Sequence, residues 1–290
     1  MKPVNDEKTT PSDSFGAIHM IEPKEPHTHT AVLLHGRGSY GDEFAQELFE
    51  ETKLSDQLSL AEKLPSWRWV FPSSRGLWST AFQEEMPAWF EAHSLTDTTT
   101  RQDLQIPGIK ESVEYVNDIL HTEIEKLHGS AEKVVLGGIS QGAAVGMCTL
   151  LARGHSQKRL GAFFGASTWL PFAPNIGRFL SQSEGVSQET EGSESEGDAF
   201  LSDMLTKTRS ALAQSKGRAS LLSTPVFLGH GVDDAYVDVE LGRQARDTLS
   251  QIGFLVEWKE YSGAELEGHW IKAPDEMDDV FHFLKTHVTT

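Results

Sequence analysis

The chain has a single cysteine, Cys148, so no disulfide can close within it. None of its three asparagines, Asn5, Asn117 and Asn175, opens an N-x-Ser/Thr sequon. No apolar run approaches the roughly 20 residues that a membrane-spanning helix needs. The opening MKPVNDEKTTPSDSF has no apolar stretch of the kind a signal peptide carries, and myristoylation, prenylation and peroxisomal signals are missing. These absences predict a cytoplasmic protein. Positive charge is also scarce: 25 Lys and Arg stand against 43 Asp and Glu, a formal net charge of −18. Such a balance repels phosphate backbones and anionic lipid surfaces, so neither a nucleic-acid partner nor stable membrane insertion is expected.

What is present is a chain of 290 residues with 38% hydrophobic residues, 7 Trp and 15 Phe, enough for one large packed α/β domain. Residues 1–14 are polar and interrupted by proline, and predict a flexible tail before a single domain over 15–290. FGAIHMIEP predicts an edge strand. Apolar, β-rich runs then follow at 31–36, 68–74, 133–140, 160–168, 225–231 and 255–261. Several are continuously apolar, as parallel strands covered on both faces should be. Helical spacing falls between them, at 108–129, 144–154, 239–253 and 275–288, where crossovers are needed. The expected fold is therefore α/β, a mostly parallel sheet with helices on both faces. SQSEGVSQETEGSESEGDAF, at 181–200, has no lysine or arginine and predicts a mobile acidic surface insertion; the following LSDMLTKTRSALAQ has helical spacing.

GISQG places Ser140 directly after a strand and before a run of small residues, the context of a strained strand-to-helix turn. Gly138 and Gly142 would leave room where strand and helix approach closely. The amide of Gln141, at a helix start, could donate to a developing oxyanion. The competing reading is a serine in a small-residue packing site. A serine hydroxyl is a weak nucleophile without a base, and the base needs an acid to orient it. In this chain order GHGVDDAYV supplies Asp233 and Asp234, and GHW supplies His269. Spacing alone does not choose between the aspartates, since either could instead cap the next helix.

The glycine-rich turn LHGRGSYGDEF would bring the Arg37 amide towards the same carbonyl oxygen; it lacks the spacing and lysine of a nucleotide loop. His27 and His29 have no second cluster at ligand spacing, and VDDAYVDVE lacks the pattern of a calcium loop, so no metal is expected.

LHGRGSYGDEF, FPSSRG, MPAWFE, GIKESVEYVNDIL, GISQGAAV, STWLP, GHGVDDAYV and GHW occur in that order from residue 31 onwards. Together they resemble the acyl-protein thioesterase and carboxylesterase family of serine hydrolases. The resemblance implies an α/β-hydrolase fold and cofactor-free hydrolysis of carboxylic esters or thioesters, with a small ester or an acylated protein as substrate and a monomer or weak homodimer as assembly. It assigns Ser140 as nucleophile, His269 as general base, Asp234 rather than Asp233 as the acid, and the Arg37 and Gln141 amides as the oxyanion hole. Trp78, Phe82, Met86, Trp89, Trp169 and Leu170 become candidates to line or support an acyl pocket, although each is also of a type that packs in cores. Three departures bear on the substrate. Arg37 stands where protein thioesterases usually have an apolar residue, the acidic insertion follows STWLP, and the loop before His269 is long. They leave open a small-molecule carboxylesterase or tailoring hydrolase, and more remotely a binding protein on a hydrolase scaffold.

Overall fold

The computed structural model describes residues 14–94, 97–153, 158–181, 197, 199–202, 204–205 and 221–288. Residues 1–13 of the expected tail, most of the acidic insertion and much of the helical segment after it lie outside the described residues. Phe200, the last residue of that insertion, and Leu201 and Leu205 just after it are buried in the core.

Among the described residues nine strands are present: β1 (His19–Ile21), β2 (His29–Leu34), β3 (Trp67–Phe71), β4 (Arg75–Ser79), β5 (Glu84–Ala88), β6 (Val134–Ile139), β7 (Ala162–Ala166), β8 (Val226–Gly231) and β9 (Val256–Tyr261). Seven of them form one sheet in the order β1-β3-β2-β6-β7-β8-β9. Only β1 runs antiparallel, against β3. β4 and β5 pair as a separate two-stranded ribbon. The helices include α1 (Gly41–Gln46), continued by a π-helical turn at Glu47–Glu51, then α2 (Leu60–Lys63), α3 (Gln102–Lys126), α4 (Ser140–Ala152), α5 (Ala173–Ser181), α6 (Val239–Ile252) and α7 (Asp275–His287).

The parallel strands β2, β3, β6, β7 and β8 are buried almost throughout because both faces are covered, whereas β9, at the sheet edge, alternates exposed and half-buried residues; the two-residue strand period sorts the side chains into two layers. Val32, Leu34 and Leu136 join a cluster with Val116 and Leu120 of α3, Val145 of α4 and Leu249 of α6. Ala31, Leu33 and Val135 face the other layer, with Phe44, Phe49 and, from α7, Phe283 and Leu284. Fully burying one such side chain contributes about 1.5–3 kcal/mol, so loss of either layer would uncover a large apolar face.

Two helices start earlier than their sequence patterns suggest. α3 begins at Gln102, not 108, and contains Pro107 in its second turn. A proline there removes one backbone bond near a helix start, where several N–H groups already have no partner. α4 begins at Ser140 itself, not 144. The β4–β5 ribbon was not anticipated as strands at all.

Candidate active site

Ser140, Asp234 and His269 follow the carboxyl ends of β6, β8 and β9, the edge of a parallel sheet where its crevice lies. Ser140 has φ +53°, a left-handed conformation that a side chain adopts only when its surroundings enforce it. The enforcement is close packing of β2 against the start of α4. A Cβ on Gly142 would stand 2.4 Å from the carbonyl oxygens of both Leu34 and His35, and one on Gly138 would stand 2.4 Å from that of Leu34. The Thr168 hydroxyl donates to the Ser140 carbonyl at 2.8 Å.

The Gln141 side chain fastens this turn to a neighbouring loop. Its Oε1 accepts from the Trp89 amide at 2.9 Å and its Nε2 donates to the Phe90 carbonyl at 2.8 Å. The Trp89 indole donates to the His35 carbonyl at 2.8 Å. His35 is buried and holds the turn after β2: its Nε2 accepts from the Ser74 amide at 3.0 Å, so Nδ1 carries the proton and donates to the Gly36 carbonyl at 2.6 Å. Burial pushes its imidazole down to about 4, only partly opposed by that bond, which leaves it neutral.

His269 Nε2 lies 3.0 Å from Ser140 Oγ, and its Nδ1 lies 2.8 Å from Asp234 Oδ2. The carboxylate is acceptor-only, so Nδ1 bears the proton and Nε2 is free to accept from the serine hydroxyl. The other carboxylate oxygen, Oδ1, accepts from the amides of Tyr236 and Val237, each at 2.9 Å. Burial alone would raise the Asp234 pKa, but hydrogen bonds from His230 and His269 and the nearby amide of Val237 outweigh it and hold the carboxyl well below the usual carboxylate range. Asp233 is used differently, with Oδ2 accepting from the Gly263 amide at 2.8 Å. The loop before His269 is pressed onto the acid loop through Gly268, at φ +85°, where a Cβ would meet the Asp233 carbonyl oxygen at 2.7 Å.

Ser140 and His269 open into a cavity of about 430 Å³. Of the proposed acyl-site residues, Phe82 and Met86 line it. The others are placed elsewhere. Trp89, Trp169 and Leu170 are buried in the core cluster, and Trp78 is exposed on β4 without reaching the cavity wall. Apolar character alone does not separate a core residue from a wall residue. The wall also takes Phe44, Glu47, Tyr236, Leu266 and Trp270, none of which the sequence reading named. Trp270, next to His269, and Tyr236, two residues past Asp234, could have been found by adjacency. Arg37 lines the cavity, and its guanidinium carbon stands 4.9 Å from the ring centroid of Phe82, another wall residue.

Among the described residues no group of three or more His, Cys, Asp or Glu is arranged to hold a metal ion, and no helix is long and apolar enough to cross a membrane. His29 stacks on Trp67 at 5.0 Å between ring centroids, and His27 Nε2 lies 2.9 Å from the Thr30 hydroxyl.

The family model described as Phospholipase/Carboxylesterase matches residues 16–187, more than half of the chain. The chain belongs to the phospholipase/carboxylesterase family. Ser140 falls inside the matched segment, while Asp234 and His269 lie beyond it. Similar curated proteins include acyl-protein thioesterase 1 of Gibberella zeae, 27% identical over 89% of this chain and 90% of its own length. The acyl-protein thioesterase 1 of Yarrowia lipolytica is 26% identical over 92% and 96%. Among solved structures, Zea mays acyl-protein thioesterase 2 superposes with a TM-score of 0.64 at 24% identity, over 94% of this chain and 99% of that one, a likeness of fold. This member of the phospholipase/carboxylesterase family is an α/β-hydrolase.

Proposed function

We propose that the chain cleaves carboxylic esters or thioesters through an acyl-enzyme formed on Ser140, with His269 as general base and Asp234 as its orienting acid. In the first half, Ser140 Oγ attacks the carbonyl carbon while His269 Nε2 takes the hydroxyl proton. That proton passes to the departing alcohol or thiol, and an acyl ester remains on Ser140. Water then attacks the ester, His269 removes its proton, and the carboxylic acid leaves as Ser140 recovers its hydroxyl. Asp234 stays ionised throughout, fixes the imidazole tautomer and stabilises the imidazolium.

The observation that carries this reading is the continuous line of contacts from Ser140 Oγ through His269 to Asp234, at 3.0 and 2.8 Å, on a serine held at φ +53°. The oxyanion is assigned to two amides. That of Gln141 is in the first turn of α4, where N–H groups have no intrahelical acceptor, and that of Arg37 is in the turn after β2. The likeness to acyl-protein thioesterases favours S-acylated proteins as one substrate class. A second reading, a hydrolase of small-molecule esters, is favoured by the guanidinium of Arg37 in the cavity wall.

In the test, Ser140→Ala should abolish labelling by a fluorophosphonate probe and lower p-nitrophenyl ester hydrolysis by at least about ten-thousandfold. Retained labelling and turnover would reject the assignment. A panel of S-acylated peptides and short esters then separates the two substrate classes.

A further inference from the structure

Arg37 brings a cation into a cavity otherwise walled largely by aromatic and aliphatic side chains. Its Nη1 donates to the Ala92 carbonyl at 3.2 Å, and its guanidinium carbon stands 4.9 Å from the centroid of the Phe82 ring. Those contacts aim the group but leave most of its five N–H donors without a protein acceptor among the described residues. No carboxylate among the described residues forms an ion pair with it. Burial lowers its pKa, with only Glu91 acting from a distance in the other direction. Glu47 is the one carboxylate on the described cavity wall, and it forms no ion pair with Arg37. In a chain whose acids outnumber its bases 43 to 25, a half-buried guanidinium left unpaired beside the reactive serine requires an explanation. A desolvated cation is costly unless an anion meets it, and the planar guanidinium fork matches a carboxylate.

We propose that the substrate is an ester or thioester that itself carries a carboxylate, and that the Arg37 side chain binds that carboxylate while Ser140 attacks the carbonyl. The inference rests on Ser140 being the nucleophile. The Arg37 amide and the Arg37 guanidinium belong to one residue, so the scissile carbonyl and the bound carboxylate are separated by no more than an arginine side chain can span. A chain of moderate length between two carbonyl carbons fits that separation. Long unsubstituted fatty chains would leave the guanidinium buried against hydrocarbon.

The experiment compares kcat/KM for matched p-nitrophenyl esters: those of hexanoic, octanoic and decanoic acid against the half-esters of adipic, suberic and sebacic acid. A second arm places the carboxylate on the leaving group, as 4-carboxyphenyl esters against phenyl esters, and so distinguishes the acyl side from the leaving side. The expected result is a preference of about tenfold or more for the carboxylate-bearing substrate in one arm, the scale of a charge-assisted hydrogen bond. Added salt should weaken that preference. Arg37→Met should bring the ratio close to unity, and Arg37→Lys should keep part of it; because the readout is a ratio within each variant, a change in overall rate does not obscure it. A neutral preference in both arms, or a ratio untouched by Arg37→Met, overturns the inference. If Ser140→Ala abolishes turnover of the neutral esters while no carboxylate preference is found, the nucleophile stands and the inference alone fails. Turnover of both series by Ser140→Ala removes the nucleophile and the inference with it.

Discussion

His230 Nε2 lies 3.4 Å from Asp234 Oδ2, the oxygen that His269 Nδ1 reaches at 2.8 Å. The same His230 nitrogen meets the Val237 carbonyl at 2.9 Å, while the Val237 amide donates to the other oxygen of Asp234. The acid is thus gripped from both sides by one short segment and a buried imidazole. His230→Phe removes that grip without touching Ser140 or His269. It should lower kcat by about tenfold to a hundredfold, as expected for a lost hydrogen bond to a charged group, with KM nearly unchanged. His230→Gln, whose amide nitrogen reaches a similar position, should recover much of the loss. A loss confined to KM would count against a positioning role.

Asp233 and Asp234 are adjacent but divide their work. Asp234→Asn should cost on the order of ten-thousandfold in kcat, because an amide in that place no longer favours the required tautomer of His269. Asp233→Asn keeps an oxygen for the Gly263 amide and should cost less than about 1.5 kcal/mol of stability with activity largely retained. Steady-state kinetics with urea unfolding of both variants checks the pair, and the reverse ranking would move the acid by one residue.

Gly142→Ala puts a methyl group against two backbone oxygens, which move only if β2 and α4 separate. About 3 kcal/mol of destabilisation is expected, together with loss of ester hydrolysis as Ser140 shifts. Urea midpoints and fluorophosphonate labelling measure the two effects separately.

Glu276 is fully buried in the first turn of α7, and burial pushes its carboxyl up to about 8 from an ordinary 4.5. Its Oε2 accepts from the Lys272 amide at 2.8 Å, while Oε1 has no hydrogen-bond partner. The folded state therefore holds this proton more tightly than the unfolded state. Its stabilising contribution is complete below about pH 4.5 and is lost as pH rises through about 8, with a slope approaching about 1.4 kcal/mol per pH unit inside that window. Glu276→Gln should flatten the pH dependence of the urea midpoint between those limits. An unchanged slope would show that the carboxyl is already ionised in the folded protein.

The sheet was legible because most of its parallel strands are buried on both faces and write themselves as continuous apolar runs, whereas the edge strand β9 alternates; the six predicted runs lie on or within two or three residues of β2, β3, β6, β7, β8 and β9. Chain order after three different strands picks out Ser140, the pair Asp233 and Asp234, and His269, but not which aspartate; in the fold Asp234 Oδ2 lies 2.8 Å from His269 Nδ1, while Asp233 takes the Gly263 amide. The β4–β5 ribbon was not legible, since RGLWS and EEMPA lack β-branched alternation and Pro87 reads as a breaker. Trp89 and Trp169 illustrate the other limit. A tryptophan near an active-site motif has the same sequence signature whether its ring faces a cavity or a core, and only three-dimensional packing separates them. The start of α3 was misplaced because Pro107 punctuates the sequence more strongly than it disturbs a helix in its second turn.

The pair of hydrogen bonds between the Gln141 side chain and the backbone of Trp89 and Phe90 has a mechanical consequence. Phe82, Met86 and the Ala92 carbonyl that holds Arg37 belong to the same stretch of chain that the Gln141 side chain clasps, so the cavity wall and the residue following the nucleophile are one hinged piece. Widening the wall for a bulkier guest would pull on the Gln141 amide, which the proposed mechanism assigns to the oxyanion. Appetite and speed are therefore geared together, and a relaxed diet comes with slower turnover unless that clasp is rebuilt.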